Sequence, residues 1–187
     1  MGKLQFEETR IQGVFTITPT VFGDERGYFM ETYHAEEFRS AGIDAGFVQD
    51  NQSHSAKGVL RGMHYQLPPH GQGKLVRVLQ GRVFDVAVDI RRGSPTFGQW
   101  VGVELSGENH RQLWVPEGMA HGFLVLSETA DFFYKVTNFY APASERCIRW
   151  DDPSIGIRWP LEGQAPQLAP KDAAGASLAN AELPVAD

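Results

Sequence analysis

Hydrophobic and polar residues alternate with a period of two through the middle of the chain. The alternation is clearest in residues 74–80 and 83–90, which it predicts as two long strands joined by a tight turn at Gly81 and Arg82. Similar segments follow at residues 99–105, 111–115, 122–126 and 132–139. Short clusters of glycine, proline, serine and asparagine separate them, as is typical of turns. The spacing therefore predicts an all-β chain folded as an antiparallel sandwich or small barrel.

Outside these strands the sequence predicts little regular structure. A short helix is expected at residues 35–41, with Gly42 as its C-terminal glycine. Residues 1–172 are expected to form a single domain. From about Ala173 onwards alanine, glycine, serine and asparagine are frequent, so residues 173–187 are expected to be a loosely held C-terminal tail.

Composition and charge exclude several classes of function. The chain has 187 residues, of which 42% are hydrophobic and 21% charged, as is ordinary for a soluble globular domain. Its net charge of −6 argues against nucleic acid or an anionic membrane as the main partner. The single cysteine, Cys147, excludes an intrachain disulfide and is interpreted as a packing residue in a reducing compartment. Since no apolar run approaches the ~18 residues that a membrane span needs, we expect a cytoplasmic protein.

Residues 58–81 carry the densest candidate chemistry. Arg61, His64, His70 and Lys74 lie there, flanked by strand-like hydrophobic segments. A histidine beside a fixed ammonium can take a proton from a carbon next to a carbonyl, and the ammonium can then stabilise the enolate. The spacing also resembles a metal-binding histidine motif in which lysine replaces the acidic ligand. These residues alone leave proton transfer and metal binding as alternatives.

Strand geometry determines which of these side chains can meet. We expect the strand that starts at Lys74 to pair near His64, with both side chains in the interior of a small barrel. Arg61 and His64 are three residues apart, so a regular strand would place them on opposite faces. Both can face one ligand if the strand has a bulge, for which Gly62 is the natural place.

Four residues outside this segment could also take part in catalysis. His121 follows a Pro-x-Gly turn and is either a site residue or a histidine that hydrogen-bonds a neighbouring loop. Tyr134 and Tyr140 share strand parity and could be a general acid and a stacking partner, or core tyrosines. Asp172 could orient a histidine base if the C-terminal segment folds back. The remaining histidines, expected to be solvated, are His34, His54, His70 and His110.

The two histidine stretches resemble the two motifs of the cupin superfamily. In metal-binding cupins the first motif is Gly-x5-His-x-His-x3,4-Glu-x6-Gly. His64 matches the first histidine, but Gln66 stands at the second histidine and Lys74 at the glutamate. In the second motif His121 matches, whereas Val125 stands where asparagine is usual. A cation in place of a ligand would repel a metal, so no metal site is expected.

Longer segments resemble one metal-independent branch of this superfamily, the dTDP-4-dehydrorhamnose 3,5-epimerases. The matching segments include residues 22–27, 29–31, 47–51, 60–66, 73–77, 84–89, 118–123, 148–153 and 170–172. The resemblance implies a cupin-type antiparallel jelly roll with a few short helices, and an isomerase without cofactor or metal. It also implies a dTDP-linked 4-keto-6-deoxy sugar as substrate, and a homodimer in which an N-terminal strand crosses to the partner's sheet.

The resemblance also implies a role for each matching residue. His64 is the base and Asp172 orients it. Lys74 stabilises the charge that develops on O4, and Tyr134 returns a proton from the opposite face. The implied substrate-binding residues are Arg26, Glu31, Gln49, Asp50, Asn51, Arg61, His121, Tyr140, Glu145 and Lys171, of which Arg26, Arg61 and Lys171 lie at or near the nucleotide. In the implied dimer, Arg26 or Glu31 could serve the neighbouring subunit's site.

Three alternatives remain. Relatives that invert only one carbon keep the same base and acid, so the chain could be a 3- or 5-epimerase of another deoxysugar pathway. A metal-dependent cupin enzyme is disfavoured because Gln66 and Lys74 replace two ligands. A non-catalytic sugar-binding cupin would not need a histidine, a lysine, a tyrosine and an aspartate together at these positions.

Overall fold

The computed structural model describes residues 2–184, which form two facing antiparallel sheets, a separate hairpin and two short α-helices. The strands are β1 (Leu4–Glu8), β2 (Phe15–Pro19), β3 (Val21–Asp24), β4 (Gly27–Met30), β5 (Gln49–Ala56), β6 (Leu60–Gln66), β7 (Lys74–Gln80), β8 (Arg82–Asp89), β9 (Trp100–Ser106), β10 (Gln112–Val115), β11 (Met119–Val125), β12 (Thr129–Val136) and β13 (Glu145–Cys147). The α-helices are α1 (Ala35–Ser40) and α2 (Pro170–Ala173), and a 3₁₀ helix spans Pro142–Ser144. The six-stranded sheet has the order β1-β2-β10-β7-β12-β5 and the five-stranded sheet the order β13-β6-β11-β8-β9. This arrangement confirms the predicted all-β jelly roll.

The elements predicted from the alternation are present, with small shifts at their ends. The strands expected between residues 74 and 139 correspond to β7 to β12, although β12 ends at Val136. The expected helix is α1, and Gly42 follows it with a φ of +87°. Among the described residues no helix is both long and apolar enough to cross a membrane.

The predicted hairpin between residues 74–80 and 83–90 is wrong. β7 pairs with β10 and β12, whereas β8 pairs with β11 and β9 in the other sheet. Gly81, with a φ of +83°, turns the chain from one sheet to the other. A Cβ at this position would lie 2.1 Å from the carbonyl oxygen of Thr129, so only glycine fits. A glycine turn is compatible with both a hairpin and a corner between sheets, and alternation alone does not distinguish them.

The main hydrophobic core lies between the two sheets. Val76, Leu113 and Phe132 contribute to it from the six-stranded sheet, and Ala87 and Phe123 from the five-stranded sheet. All five side chains are at least 95% buried. The two phenylalanines also border a polar cavity, so the core forms the floor of that cavity.

Residues 173–184 pack against the outer face of the five-stranded sheet, which corrects the expected loose tail for this part of the chain. Backbone hydrogen bonds join Ala176 to Cys147 at the end of β13 and to Arg149, two residues further on. Leu178 and Ala181 are buried in a second hydrophobic cluster on this face. Because small and polar residues are frequent in this segment, its composition did not reveal the few apolar side chains that cover the sheet. Residues 185–187 lie outside the described part.

The β3–β4 hairpin stands apart from both sheets. Its two strands pair with each other, and the described residues add no further strand to them. Val21, Phe22, Tyr28 and Phe29 are between 41% and 61% exposed. A hairpin of four apolar side chains with this exposure is typical of a surface that another chain covers.

Candidate active site

A cavity of about 360 Å³ between the two sheets contains most of the residues that the sequence singles out. Strands β5, β7 and β12 line it from the six-stranded sheet, strands β6, β11 and β13 from the other, and α2 adds residues at one side. The predicted site residues found in its lining are Gln49, Asn51, Arg61, His64, Lys74, His121, Tyr134, Tyr140, Glu145, Lys171 and Asp172. The fold therefore brings together side chains that are far apart in the sequence.

A histidine–carboxylate pair lies at one wall of the cavity. His64 Nε2 is 2.5 Å from Asp172 Oδ1, although 108 residues separate them. The Asp172 side chain is 3% exposed, whereas 21% of the His64 side chain is exposed. The C-terminal segment folds back as this pairing requires. Because Nε2 is engaged, Nδ1 is the ring nitrogen that remains available to accept a proton.

A bulge in β6 allows Arg61 and His64, which are three residues apart, to face the same cavity. On β11, His121 pairs with His64. Two residues later Phe123 pairs with Arg61, so β6 has one residue more than β11 between these pairs. The additional residue lies at Gly62, which has a φ of +135°. A Cβ there would lie 2.5 Å from the β11 backbone, which explains the glycine.

Lys74 reaches the cavity from the sheet opposite His64. The expected pairing of its strand near His64 is wrong, because the chain crosses between the sheets from β6 to β7. Burial lowers the pKa of Lys74 to about 8, while the charges of Asp85 and Glu145 act in the opposite direction. The ammonium therefore keeps its charge at neutral pH in surroundings where that charge is weakly screened.

Tyr134 faces the cavity from β12, in the same sheet as Lys74. Burial raises the pKa of Tyr134 and the charge of Glu145 raises it further, while Lys171 and Arg61 act in the opposite direction. The phenol thus stays protonated at neutral pH. It is a proton donor on the wall opposite the histidine–carboxylate pair.

A second histidine–carboxylate pair borders the same cavity. His121 Nε2 lies 2.9 and 3.0 Å from the two carboxylate oxygens of Asp85, which is fully buried. The ring of His121 stacks on Phe132 with centroids 6.1 Å apart. Asp85 was not among the predicted site residues. A carboxylate that shares strand parity with the buried Val83 and Ala87 was the signal that could have identified it.

A glutamate at the rim connects two further predicted residues. The Tyr140 hydroxyl donates to Glu145 Oε2 at 3.0 Å, and Lys171 Nζ donates to Oε1 at 3.2 Å. Burial raises the pKa of Glu145, but these two hydrogen bonds outweigh it and keep that pKa below its usual value. The predicted strand alignment of Tyr140 with Tyr134 is wrong, since β12 ends before Tyr140 and the ring lies in the following loop.

The cupin metal-motif positions do not form a ligand set. The Gln66 side chain accepts a hydrogen bond from the Ala141 amide at 2.8 Å and donates to the Phe139 carbonyl at 3.2 Å, so it holds the loop that carries Tyr140. Both motif histidines are hydrogen-bonded to carboxylates. The glutamate position is occupied by the Lys74 ammonium, which has no lone pair to offer a metal.

Three predicted residues lie away from this cavity. Arg26 is in the turn of the β3–β4 hairpin, and Glu31 follows that hairpin and accepts a hydrogen bond from Lys3 at 3.2 Å. Asp50 pairs with Lys135 at 2.8 Å on the outer face of the sheet. The prediction for Asp50 is therefore not met within the chain, because its two neighbours face the cavity and strand alternation directs Asp50 outward.

The cavity also contains residues that the sequence analysis did not select. They are Gln52, Ser53, Gln72, Phe123, Phe132 and Ala169. Cys147, interpreted as a packing residue, is the direct strand partner of His64. Its partner could be identified only once the pairing of β13 with β6 was known.

Comparison with known proteins agrees with this geometry. The sequence model of the dTDP-4-dehydrorhamnose 3,5-epimerase family matches residues 8–180. The chain is 58% identical to the dTDP-4-dehydrorhamnose 3,5-epimerase of Shigella flexneri, over 94% of this chain and 96% of that protein. The chain belongs to this family.

Solved structures extend the likeness to the fold. The crystal structure of dTDP-6-deoxy-D-glucose-3,5-epimerase from Legionella pneumophila, in complex with dTDP-4-keto-L-rhamnose, has a TM-score of 0.94 and 55% identity, and the match covers 98% of this chain and 99% of that one. A 3'-monoepimerase from Streptomyces bikiniensis in complex with dTDP-quinovose has a TM-score of 0.89 and 37% identity, with 95% and 91% covered. One fold thus serves a double and a single epimerase.

Proposed function

We propose that this enzyme inverts C3 and C5 of dTDP-4-dehydro-6-deoxy-D-glucose by proton transfer through an enolate, giving dTDP-4-dehydro-L-rhamnose. The observation that carries the assignment of roles is the pairing of His64 with the buried Asp172 on one wall of the cavity. The opposite wall presents Tyr134 and Lys74. A base and an acid on opposite walls are what inversion at carbon requires.

His64 acts as the base. The C4 ketone acidifies the hydrogens on C3 and C5, and Nδ1 accepts one of them as the carbanion forms. Asp172 holds the ring by its bond to Nε2 and stabilises the imidazolium that results. A positioned base of this kind contributes roughly 10²–10⁴-fold to the rate.

Tyr134 returns the proton from the other face. Return to the face from which the proton was taken would regenerate the substrate. The phenol remains protonated because its pKa is raised by burial and by Glu145. It therefore donates to the enolate carbon, and solvent restores its proton in the next step.

Lys74 stabilises the negative charge on O4. A buried ammonium needs no reorganisation when that charge appears, and the surrounding protein screens it less than water does. The charge replaces the Lewis acid that a metal supplies in metal-binding cupins. This role explains why a lysine stands where the metal-binding cupin motif has its glutamate.

Arg61 and Lys171 bind the anionic part of the substrate. Both line the cavity at its more exposed side, and the guanidinium of Arg61 is oriented by Ser55 Oγ at 3.0 Å. Planar guanidinium groups bind phosphate oxygens in pairs. Local cations thus overcome the net charge of −6. The remaining polar residues of the cavity, Gln49, Asn51 and Tyr140, would contact the sugar or the nucleobase of the substrate.

We place the reaction in the cytoplasm. Burial, together with the charge of Asp172, raises the pKa of the Cys147 thiol to about 11. The thiol is therefore protonated and weakly reactive, and it is the single cysteine of the chain. These properties fit a reducing compartment.

The subunits are proposed to form a homodimer by exchange of the N-terminal β3–β4 hairpin. The exposed Phe22, Tyr28 and Phe29 would be covered by the partner. Arg26, whose side chain is 90% exposed at the end of this hairpin, would then contribute a cation to the partner's cavity. This exchange would explain why Arg26, which matches the family, lies outside the cavity of its own chain.

Replacing Tyr134 with Phe separates proton removal from proton return. In D2O, Tyr134→Phe should still exchange substrate hydrogen for deuterium, because His64 is intact. Its formation of inverted product should fall by about 10²-fold or more. NMR of the sugar ring measures exchange and inversion in the same sample.

His64→Asn is the matched control and should lose both exchange and inversion. Equal losses of exchange and inversion in Tyr134→Phe would contradict the acid role. Inversion at a single carbon in the parent enzyme would instead favour a 3- or 5-epimerase.

The pH profile should report the charge of Lys74. The protonated form is the active one, so kcat/KM should decline as pH rises through about 8, by about tenfold per pH unit. Lys74→Met should lose about 10²–10³-fold in kcat/KM and lack this alkaline limb. Lys135→Met, on the outer face, is the control and should keep the parent profile. If Lys74→Met kept the same alkaline decline in kcat/KM, that decline would belong to another group.

Mixing two inactive variants tests the shared site. Arg26→Ala lacks the cation given to the partner, and His64→Asn lacks the base. If hairpins are exchanged, mixed dimers contain one complete site, and the mixture should recover up to about a quarter of parent activity. Absence of recovery, with mixed dimers detected by native mass spectrometry, would show that Arg26 does not act across the interface.

A further inference from the structure

Three side chains with metal-binding atoms meet at the proposed base, and His64 is one of them. Donor atoms of His64, Cys147 and Asp172 all lie within 4.8 Å of one another, and this is the one such group of three or more found in residues 2–184. His64 and Cys147 are direct partners across β6 and β13, so their side chains lie on the same face of the sheet. Asp172 approaches from α2. The proposed chemistry uses the histidine and the aspartate but leaves the thiol without a role.

We propose that Zn²⁺ binds to His64 Nε2, Cys147 Sγ and the Asp172 carboxylate, and that it inhibits the enzyme reversibly by fixing the remaining imidazole proton on Nδ1, the atom that acts as the base. The inhibition part rests on the proposed function of His64. Binding of the ion depends only on the three donors. The site is inhibitory and is distinct from the cupin motif positions, of which it contains only His64.

The geometry fits a tetrahedral zinc ion after small side-chain movements. Zinc bonds of about 2.0–2.3 Å place neighbouring donors roughly 3–4 Å apart. His64 and Asp172 are now 2.5 Å apart and must separate by about 1 Å, while the Cys147 sulfur must approach by a similar amount. Water would occupy the fourth position, on the side of the cavity.

The donor set selects for zinc rather than for the abundant hard cations. One imidazole nitrogen, one thiolate and one carboxylate suit Zn²⁺, whereas Mg²⁺ and Ca²⁺ prefer oxygen ligands. As the zinc–sulfur bond forms, the thiol proton is released to solvent. The imidazole proton moves from Nε2 to Nδ1, which can then no longer accept a proton from the substrate. No electrons are transferred.

The sulfur of Cys147 is free to take part. Its nearest acceptors are the carbonyl oxygens of Ile148 at 3.5 Å and Gly62 at 3.6 Å, which are weak contacts for a thiol. Moving Sγ towards an ion therefore breaks no strong hydrogen bond. The nearby cations Lys74 and Lys171 oppose an incoming ion, and the carboxylates of Asp172 and Glu145 favour it.

Binding is tested with Co²⁺ and Zn²⁺ on the whole chain. Co²⁺ should give the near-ultraviolet charge-transfer band of a cobalt–thiolate bond, and calorimetry should show one Zn²⁺ per subunit. Cys147→Ser should lose the band and at least about tenfold in Zn²⁺ affinity. Its activity without added ion should equal that of the parent.

His54→Asn is the matched control. His54 Nδ1 lies 2.7 Å from Asp131 in an exposed pair of similar geometry that has no cysteine partner. This variant should keep the cobalt band and the zinc affinity of the parent. If it loses the one zinc instead, the ion binds at the exposed pair and the proposal is overturned.

Inhibition is measured after excess zinc is removed by desalting, because the diphosphate of the substrate binds free zinc. The zinc-loaded parent should be inactive and recover with EDTA, whereas Cys147→Ser treated in the same way should stay active. Equal inhibition of both proteins, or a parent without the cobalt band, would overturn the site. If Cys147→Ser does not fold, Cys147→Ala replaces it. A chain without epimerase activity would refute the proposed function, and the cobalt spectrum would still decide the ion site.

Discussion

The hydrogen bond between His64 and Asp172 depends on how the chain that follows Asp172 packs against the five-stranded sheet. Asp172 lies on α2, which is four residues long and cannot hold a position alone. The segment that follows is joined to β13 through Ala176 and is buried at Leu178. Packing against the outer face of the five-stranded sheet thereby fixes the position of the Asp172 carboxylate. A segment with the composition of a tail is in this protein a structural part of the active site.

The second constraint is the balance of charge in a cavity between two hydrophobic sheets. Three cations, Arg61, Lys74 and Lys171, line it together with three carboxylates, Asp85, Glu145 and Asp172, counting Asp85 through its bond to His121. The balance of opposite charges lowers the cost of burying the carboxylates of Asp85 and Asp172. Lys74 nevertheless loses part of its tendency to hold a proton, as its lowered pKa shows. Sites that place charge where a transition state needs it commonly accept such a cost.

Local sequence patterns predicted most of the fold and part of the site. Alternation located the strands because one face of each sheet is apolar, and Gly42 marked the end of α1. Alternation did not reveal that Gly81 joins two sheets, because partner choice depends on how the whole core closes. For the same reason Lys74 was expected beside His64 and lies across from it.

The site residues came from motifs, and the omissions have a physical reason. His64, Lys74 and Asp172 stand in segments whose order matches the family, Tyr134 lies between two such segments, and the fold brings all four to one cavity. Asp85 and Cys147 acquire their positions only through strand register, opposite Phe123 and His64. Arg26 lies in the turn of the β3–β4 hairpin, outside this cavity, and only the proposed dimer would bring it to a site.

The central claim is that protons leave one face of the sugar and return from solvent to the other. The most direct test converts dTDP-4-dehydro-6-deoxy-D-glucose in D2O with the unmodified enzyme and reads deuterium at each carbon of the isolated product by NMR. The account predicts inversion with one deuterium at C3 and one at C5. Inverted product that retains its original hydrogen at either carbon would contradict it.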